Sequence, residues 1–222
     1  MPRTHRDRQL RRCAARSNPA AARETPSAGR HRDSGRGPDG VDRGRRGTAP
    51  GDRRPDPALA GNARLRALLP DVEVLHKAVD WALRYDEFFD LKQVAVARRM
   101  LQLGRDRAAQ LRAGNAPWLD ATGLVIRGHR SPLDGSIQPY GLVVPESIRG
   151  APGATPLLVW VLGRGEKRSE LAFLAEREAG PPQLTPKDVL TLVPYGRFCN
   201  ATKFAGEVDV MEALAAVRAQ YR

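Results

Sequence analysis

The sequence of 222 residues contains only two cysteines, and this scarcity excludes a disulfide-rich scaffold. Cys13 and Cys199 are far apart along the chain, and neither belongs to a group of His, Cys and Asp residues with the spacing of zinc ligands. A glycine-rich phosphate-binding fingerprint between a strand and a helix is missing as well. The sequence therefore indicates neither a metal nor any other cofactor.

Long apolar runs are also missing. No window approaches the roughly 18 consecutive apolar residues that a membrane-spanning helix needs. No apolar segment follows Met1, so this reading frame shows no secretory signal peptide. A cytoplasmic protein without a membrane span is the default expectation, and a secreted or periplasmic location stays open if the start of the chain is misassigned.

Aromatic residues are absent from the first 60 positions, which carry 15 Arg and no Lys against 7 acidic residues. Their balance of +8 leaves only +4 of the net charge of +12 for residues 61–222. A segment of this composition can bury too little apolar surface to offset the entropy of ordering 60 residues. We therefore predict a disordered tail rich in Arg, Gly and Pro over residues 1–60.

The tail leaves a second class of function open. An Arg-rich arm can bind nucleic acid or an anionic surface by releasing counterions, which would make the chain a non-catalytic binding protein. Such binding would weaken with salt and disappear when residues 1–60 are deleted. We favour a solvated extension, or residues translated upstream of the true start, and expect no specific nucleic-acid partner.

Residues 61–117 predict a helical hairpin. The first helix is expected to run from Asp71, its N-cap, to about Tyr85, and the second from Asp90 to Gly114-Asn115. The second is expected to bury one apolar face: Leu91, Val94, Ala97, Leu101, Ala108 and Leu111. We interpret four aromatic residues as packing residues rather than a ligand surface: Trp81, Tyr85, Phe88 and Phe89.

Beyond Trp118 the pattern becomes typical of strands. Two β-rich runs, residues 122–131 and 138–145, flank Asp134-Gly135, which predicts an antiparallel hairpin. The continuous apolar run Pro156–Leu162 predicts a strand that is covered on both faces. The remaining patterns predict a helix over 169–180, a buried strand over 189–193 and a helix over 207–221. This alternation predicts an α/β fold with parallel strands and right-handed crossovers.

The segment Leu162-Gly163-Arg164-Gly165-Glu166 follows the apolar run directly. Its two glycines allow the backbone to approach a ligand and to turn its N–H groups outward, as a developing oxyanion requires. Taken alone, the pattern fits a tight turn between a strand and a helix equally well.

The order of several segments resembles the opening of the prolyl-oligopeptidase-like α/β-hydrolase domain. These segments are Ser131-Pro132-Leu133-Asp134-Gly135-Ser136, Pro139-Tyr140-Gly141-Leu142-Val143-Val144-Pro145, the apolar strand and Gly163-Arg164-Gly165-Glu166. The stretch Pro194–Val210 is similar to the family's segment after the fourth strand. The resemblance covers about residues 71–222. It implies a partial α/β-hydrolase fold, with residues 118–222 as the N-terminal half of the catalytic domain.

The resemblance also implies roles for individual residues. The backbone N–H of Arg164 would face the oxyanion, with Gly163 and Gly165 shaping the loop, while Leu162 replaces the His that many members carry there. A polar loop near the expected active-site rim would supply substrate-binding residues: Tyr195, Arg197 and Asn200, with Lys203 beside them. Two acidic residues would open the last helix, where we favour a capping role: Glu207 and Asp209.

The family's nucleophile elbow, G-x-S-x-G, is not present in these residues. His76 and His129 precede the expected elbow position, whereas the family's histidine follows it. We therefore expect a truncated serine peptidase or esterase that is inactive by itself and whose complete form acts on a peptide or ester. An unpaired strand edge should make the isolated chain self-associate.

Overall fold

A computed structural model describes Leu59 and residues 61–148, 154–197 and 202–221. All of these belong to one unit, Asp52–Arg222. The predicted tail, apart from Leu59, lies outside the described residues, as do Cys13, Cys199 and Asn200. The described helices are α1 (Ala63–Arg66), α2 (Pro70–Arg84), α3 (Lys92–Arg112), α4 (Glu170–Ala179) and α5 (Ala205–Gln220), and the strands are β1 (Gly123–Arg130), β2 (Ile137–Val144), β3 (Leu157–Val159) and β4 (Leu190–Pro194).

The described strands form one mixed sheet in the order β1-β2-β4-β3. β1 and β2 pair antiparallel, with Arg130 opposite Ile137 at the closed end of the hairpin. β4 pairs antiparallel with β2 and parallel with β3. The α/β class is therefore confirmed, and the parallel pair adjoins the hairpin through β4.

The turn of the hairpin has the predicted chemistry. Gly135 adopts a φ of +70°, a conformation that residues with a side chain rarely adopt. Asp134 Oδ1 accepts hydrogen bonds from the backbone N–H and the hydroxyl of Ser136, at 3.0 and 2.6 Å. The aspartate closes the turn and the glycine permits its backbone angle, so the Asp-Gly signal is confirmed.

Helices cover both faces of the sheet. α2, α3 and α4 pack against the face that carries Ile126, through residues such as Leu75, Met100 and Phe173. α5 packs against the opposite face, where Val217 belongs to the same cluster as Val125. Adjacent residues of β1 thus face opposite cores, as the period of two of a strand requires. The helical hairpin of α2 and α3 shares its core with the sheet.

Both long helices differ from their predicted form at one point. α2 begins at Pro70 with Leu69 as a cap that makes no side-chain hydrogen bond, so Asp71 is not the N-cap. Leu91 is the N-cap of α3 and is 90% exposed, whereas α3 buries Arg107, whose Nη1 donates to the carbonyl of Ile126 at 2.8 Å. When the buried face of a helix is predicted from its apolar residues alone, a buried arginine whose donors bind backbone carbonyls is overlooked.

The apolar run Pro156–Leu162 does contain a strand, as predicted, but the prediction that this strand is covered on both faces is wrong. β3 comprises only Leu157–Val159, lies at the edge of the sheet and is only partly buried. Val161 is 54% exposed. The apolar composition of one strand does not reveal how many neighbours that strand has.

The aromatic residues of the helical hairpin are more exposed than predicted. Tyr85 is 62% exposed, and Trp81 meets it edge-on with 5.8 Å between the ring centroids. Phe89 is also exposed, whereas Phe88 packs against the core. The packing interpretation is therefore confirmed for Phe88 and wrong for Tyr85.

Candidate active-site edge

Three connections meet at one edge of the sheet. The carboxyl ends of β3 and β4 share this edge because the two strands are parallel. β2 runs antiparallel to β4, which brings the turn between β1 and β2 to the same edge. A direct contact joins two of the connections, since Arg197 Nη1 donates to Asp134 Oδ2 at 2.7 Å. Clefts at the carboxyl ends of strands are the usual binding sites of α/β sheets.

The glycine loop follows β3 at this edge. Trp160 N–H donates to the Leu192 carbonyl at 2.8 Å, which ties the start of the loop to β4. Arg168 Nη1 donates to the Gly163 carbonyl at 2.5 Å, and the Arg168 N–H donates to the Gly165 carbonyl at 3.2 Å. A Cβ placed on Gly163 would meet no atom within 4 Å, so the loop is open on that side.

Arg164 lies between the two glycines with its side chain in solvent. Its Nη2 pairs with Glu166 Oε1 at 2.9 Å, and both side chains are largely exposed. An exposed pair of this kind contributes little to stability. The chemistry that Arg164 can offer at this edge is therefore that of its backbone N–H.

Tyr195 follows β4 and is buried. Its ring lies 5.3 Å from that of Phe173, and its hydroxyl donates to the Arg168 carbonyl at 2.9 Å. Tyr195 thus links the end of β4 to the end of the glycine loop. The sequence had suggested that Tyr195 contacts substrate.

Arg197 adopts a φ of +58°, which is unusual for a residue other than glycine. Its guanidinium donates to Asp209 Oδ2 at 2.5 Å and to Ser131 Oγ at 2.8 Å, in addition to Asp134. The hydrogen bond from Arg197 holds the pKa of Asp134 well below its usual range. The bonds with Asp209 and then Asp134 raise the pKa of Arg197 further. Arg197 therefore fastens the hairpin turn to α5.

The two acidic residues of α5 have different surroundings. Glu207 lies exposed in the first turn, where its charge complements the helix dipole, but the N-cap is Phe204 and makes no side-chain cap hydrogen bond. Asp209 is buried and pairs with Arg197. Of the remaining polar-loop residues, Lys203 is exposed and Asn200 lies outside the described residues.

A buried ion pair near this edge was missed by sequence reasoning. Lys77 Nζ of α2 donates to Glu170 Oε1 at the start of α4, with side-chain exposures of 12% and 5%. Burial lowers the pKa of Lys77 and raises the pKa of Glu170, and the attraction between them opposes both shifts. The partners are 93 residues apart, so no local pattern reveals the pair.

The hydroxyl and imidazole groups near this edge do not form a nucleophile–base pair. Ser131 accepts from Arg197, and Ser169 caps α4 by accepting from the Ala172 N–H at 3.2 Å. His129 is buried on β1, and burial lowers its pKa, which keeps the ring neutral. It lines an open groove of about 520 Å³ beside α5. Among the residues that the structure describes, no hydrogen bond joins a serine hydroxyl to a histidine.

Within the described ranges, no group of three or more His, Cys, Asp and Glu residues could hold a metal ion. None of the helices described here is long and apolar enough to cross a membrane.

The described residues thus form an α/β arrangement with helices on both faces of a four-stranded mixed sheet, and with three connections gathered at one edge. No protein-family model, curated protein or solved structure matches the chain.

Proposed function

We propose that residues 118–221 form the first part of an α/β-hydrolase domain of the prolyl-oligopeptidase-like type. The reaction is hydrolysis of a peptide or ester bond through an acyl-serine. The observation that carries the proposal is the glycine loop after β3, which lies at the same sheet edge as the connection after β4.

The topology supports this proposal. The strand order is β1-β2-β4-β3, with β2 antiparallel to both neighbours, and in our proposal these strands correspond to the first four of an α/β-hydrolase sheet. Helices lie on both faces, as that fold requires. Fold analogy does not select a substrate, so the proposal covers peptidase and esterase alike.

The glycine loop supports an oxyanion role for the backbone. In an α/β-hydrolase, a backbone N–H of this loop and the N–H after the nucleophile stabilise the tetrahedral oxyanion. The Arg164 N–H takes the first of these roles in our proposal, and the Arg164 side chain lies in solvent with Glu166. Leu162 offers no side-chain hydrogen bond, and the backbone donor does not require one.

Tyr195 and Arg197 act in this proposal by holding the site together. Tyr195 supports the glycine loop through Arg168, and Arg197 joins the hairpin turn to α5. Their polar groups already have protein partners, which favours this role over direct binding of substrate.

In this proposal the nucleophile is supplied by sequence beyond these 222 residues, which contain no G-x-S-x-G segment. The serine would attack the substrate carbonyl, and a histidine would take its proton and return it to the leaving group. The residues described here would contribute one oxyanion donor and the wall of the site.

The coding sequence downstream of Arg222 provides the first test. We expect a reading frame that encodes G-x-S-x-G in the next strand–helix turn. The extended protein should hydrolyse p-nitrophenyl esters and be labelled by a fluorophosphonate on that serine. Absence of the motif, or ester hydrolysis by the 222-residue chain alone, would overturn the proposal.

A pair of substitutions in the extended protein tests the oxyanion role. Arg164→Pro removes the backbone N–H and should lower kcat by about 100- to 1,000-fold, the usual effect of losing one oxyanion donor. Arg164→Ala keeps the N–H and removes only the exposed side chain, so its kcat should stay close to that of the parent. Equal losses in both variants would contradict a backbone role.

A further inference from the structure

The middle of the glycine loop makes few contacts of its own. Gly163 has open space around it, and the Arg164 side chain reaches only its neighbour Glu166. The start of the loop is fixed by the hydrogen bond from Trp160 to β4. Its position at the sheet edge therefore depends on how its far end is held.

Arg168 holds the far end of the loop. Its guanidinium donates to the Gly163 carbonyl and its backbone N–H donates to the Gly165 carbonyl, while its own carbonyl accepts from the Tyr195 hydroxyl. α4 begins two residues later at Glu170, capped by Ser169. Any movement of the first turn of α4 is passed directly to Arg168 and the two glycines.

The first turn of α4 is held from the helical hairpin. Glu170 is 4% exposed and its Oε1 accepts from Lys77, while its Oε2 has no partner among the described residues. Lys77 Nζ also lies 3.7 Å from the centroid of the Trp81 ring, which fixes the ammonium group on a second side. Removing Lys77 would leave the buried Glu170 carboxylate without its cation.

We infer that Lys77 is a positioning residue for the glycine loop, which it holds at the sheet edge through Glu170 and the first turn of α4. The inference rests on the proposed function for the meaning of the loop. It gives the helical hairpin a role at the active site: α2 determines the position of the Arg164 N–H without touching the reacting atoms.

Amide hydrogen exchange in the 222-residue chain tests this coupling without any measurement of catalysis. Two protected amides report on this coupling: the Arg168 N–H, which donates to the Gly165 carbonyl, and the Ala172 N–H, which donates to Ser169 Oγ. In Lys77→Met, both should exchange at least about tenfold faster than in the parent, while the amides of β4 keep their rates, because local opening exposes these amides without global unfolding. Lys77→Arg keeps the cation and should restore most of the protection.

Arg99→Met is the matched control. Arg99 of α3 pairs with Glu178 at 2.6 and 2.7 Å, so it also joins the helical hairpin to α4, but at the end of α4 that is remote from the loop. This variant should leave the exchange of the Arg168 and Ala172 amides unchanged.

A double variant covers the case in which Lys77→Met does not fold. Lys77→Met/Glu170→Gln removes both charges of the pair, a replacement that proteins often tolerate. Faster exchange confined to the Arg168 and Ala172 amides in this variant would support the inference. Unchanged exchange of these amides, or equal acceleration in β4, would overturn it. The proposed function is tested separately, by the downstream motif, by hydrolysis and by the Arg164 variants.

Discussion

Asp71 is the residue on which the interior polar contacts converge. Its Oδ2 accepts from Arg127 Nε and Trp118 Nε1, both at 2.9 Å, and its Oδ1 accepts from the Gly128 N–H at 2.8 Å. The carboxylate and Arg127 are each about 1% exposed. A helix cap was expected because the sequence shows only the neighbouring Pro70 and not partners 47 to 57 residues away.

Replacing Asp71 tests how much this contact contributes. Asp71→Asn should lower the free energy of unfolding by about 3–5 kcal/mol, since it leaves the buried Arg127 guanidinium without its counter-charge. Urea unfolding measures the loss. Asp106→Asn, on the exposed side of α3, should change the free energy by less than about 0.5 kcal/mol. A loss for Asp71→Asn as small as that of the control would refute this account.

The Asp134–Arg197 contact gives a second residue-scale prediction, on pH. Because the folded-state pKa of Asp134 is depressed, its contribution to stability is present above the ordinary aspartate pKa of about 4 and declines as the pH falls below it. The pair is partly exposed, so the contribution should stay below about 1 kcal/mol. The difference in unfolding free energy between the parent and Asp134→Asn should therefore shrink in acid; a difference that grew would count against the pair.

At the scale of elements, the sequence was informative where the signals are local. The β1–β2 hairpin and its Asp134-Gly135 turn follow from alternation and backbone angle, and α4 begins at the Ser169 cap as its pattern predicts. Which side of α3 is buried, and whether β3 is covered on both faces, depends on partners that are distant in sequence. Composition could therefore reveal neither. In the candidate site, the glycine loop was recognisable from its sequence, and the buried Lys77–Glu170 pair was not.

The seating of α2 on β1 gives an element-scale prediction. A Cβ on Gly128 would overlap the Pro70 carbonyl and lie 3.1 Å from Val74 Cβ. Gly128→Ala should therefore push the start of α2 from the strand and lower the unfolding free energy by about 1–3 kcal/mol, the usual cost of overpacking. Gly61→Ala is the control, because its added Cβ would meet nothing within 4 Å. Equal unfolding midpoints for the two variants would show that α2 and β1 are not in close contact.

At the scale of the whole molecule, the described residues leave the β3 edge of the sheet open. Pro156 and Trp160 hydrogen-bond with β4, so the alternation of a strand directs the N–H and C=O groups of Leu157 and Val159 to the other side. A groove of about 310 Å³ lies beside this edge. Residues in or next to β3, β4 and α5 line it: Thr155, Leu157, Val159, Leu190, Leu214, Val217, Arg218 and Tyr221. Unpaired backbone groups beside apolar side chains favour pairing with a further chain.

We therefore predict that the 222-residue chain is poorly soluble and associates as its concentration rises. Val159→Lys places a charge on the open edge and should shift sedimentation velocity profiles toward the monomer. Leu184→Lys is the matched control, because it replaces an exposed apolar residue that lies before β4 and outside the groove, and it should leave association unchanged. A monomer at every concentration with one sharp unfolding transition would show that the β3 edge does not drive association, and an equal effect of both variants would indicate general apolar contact instead.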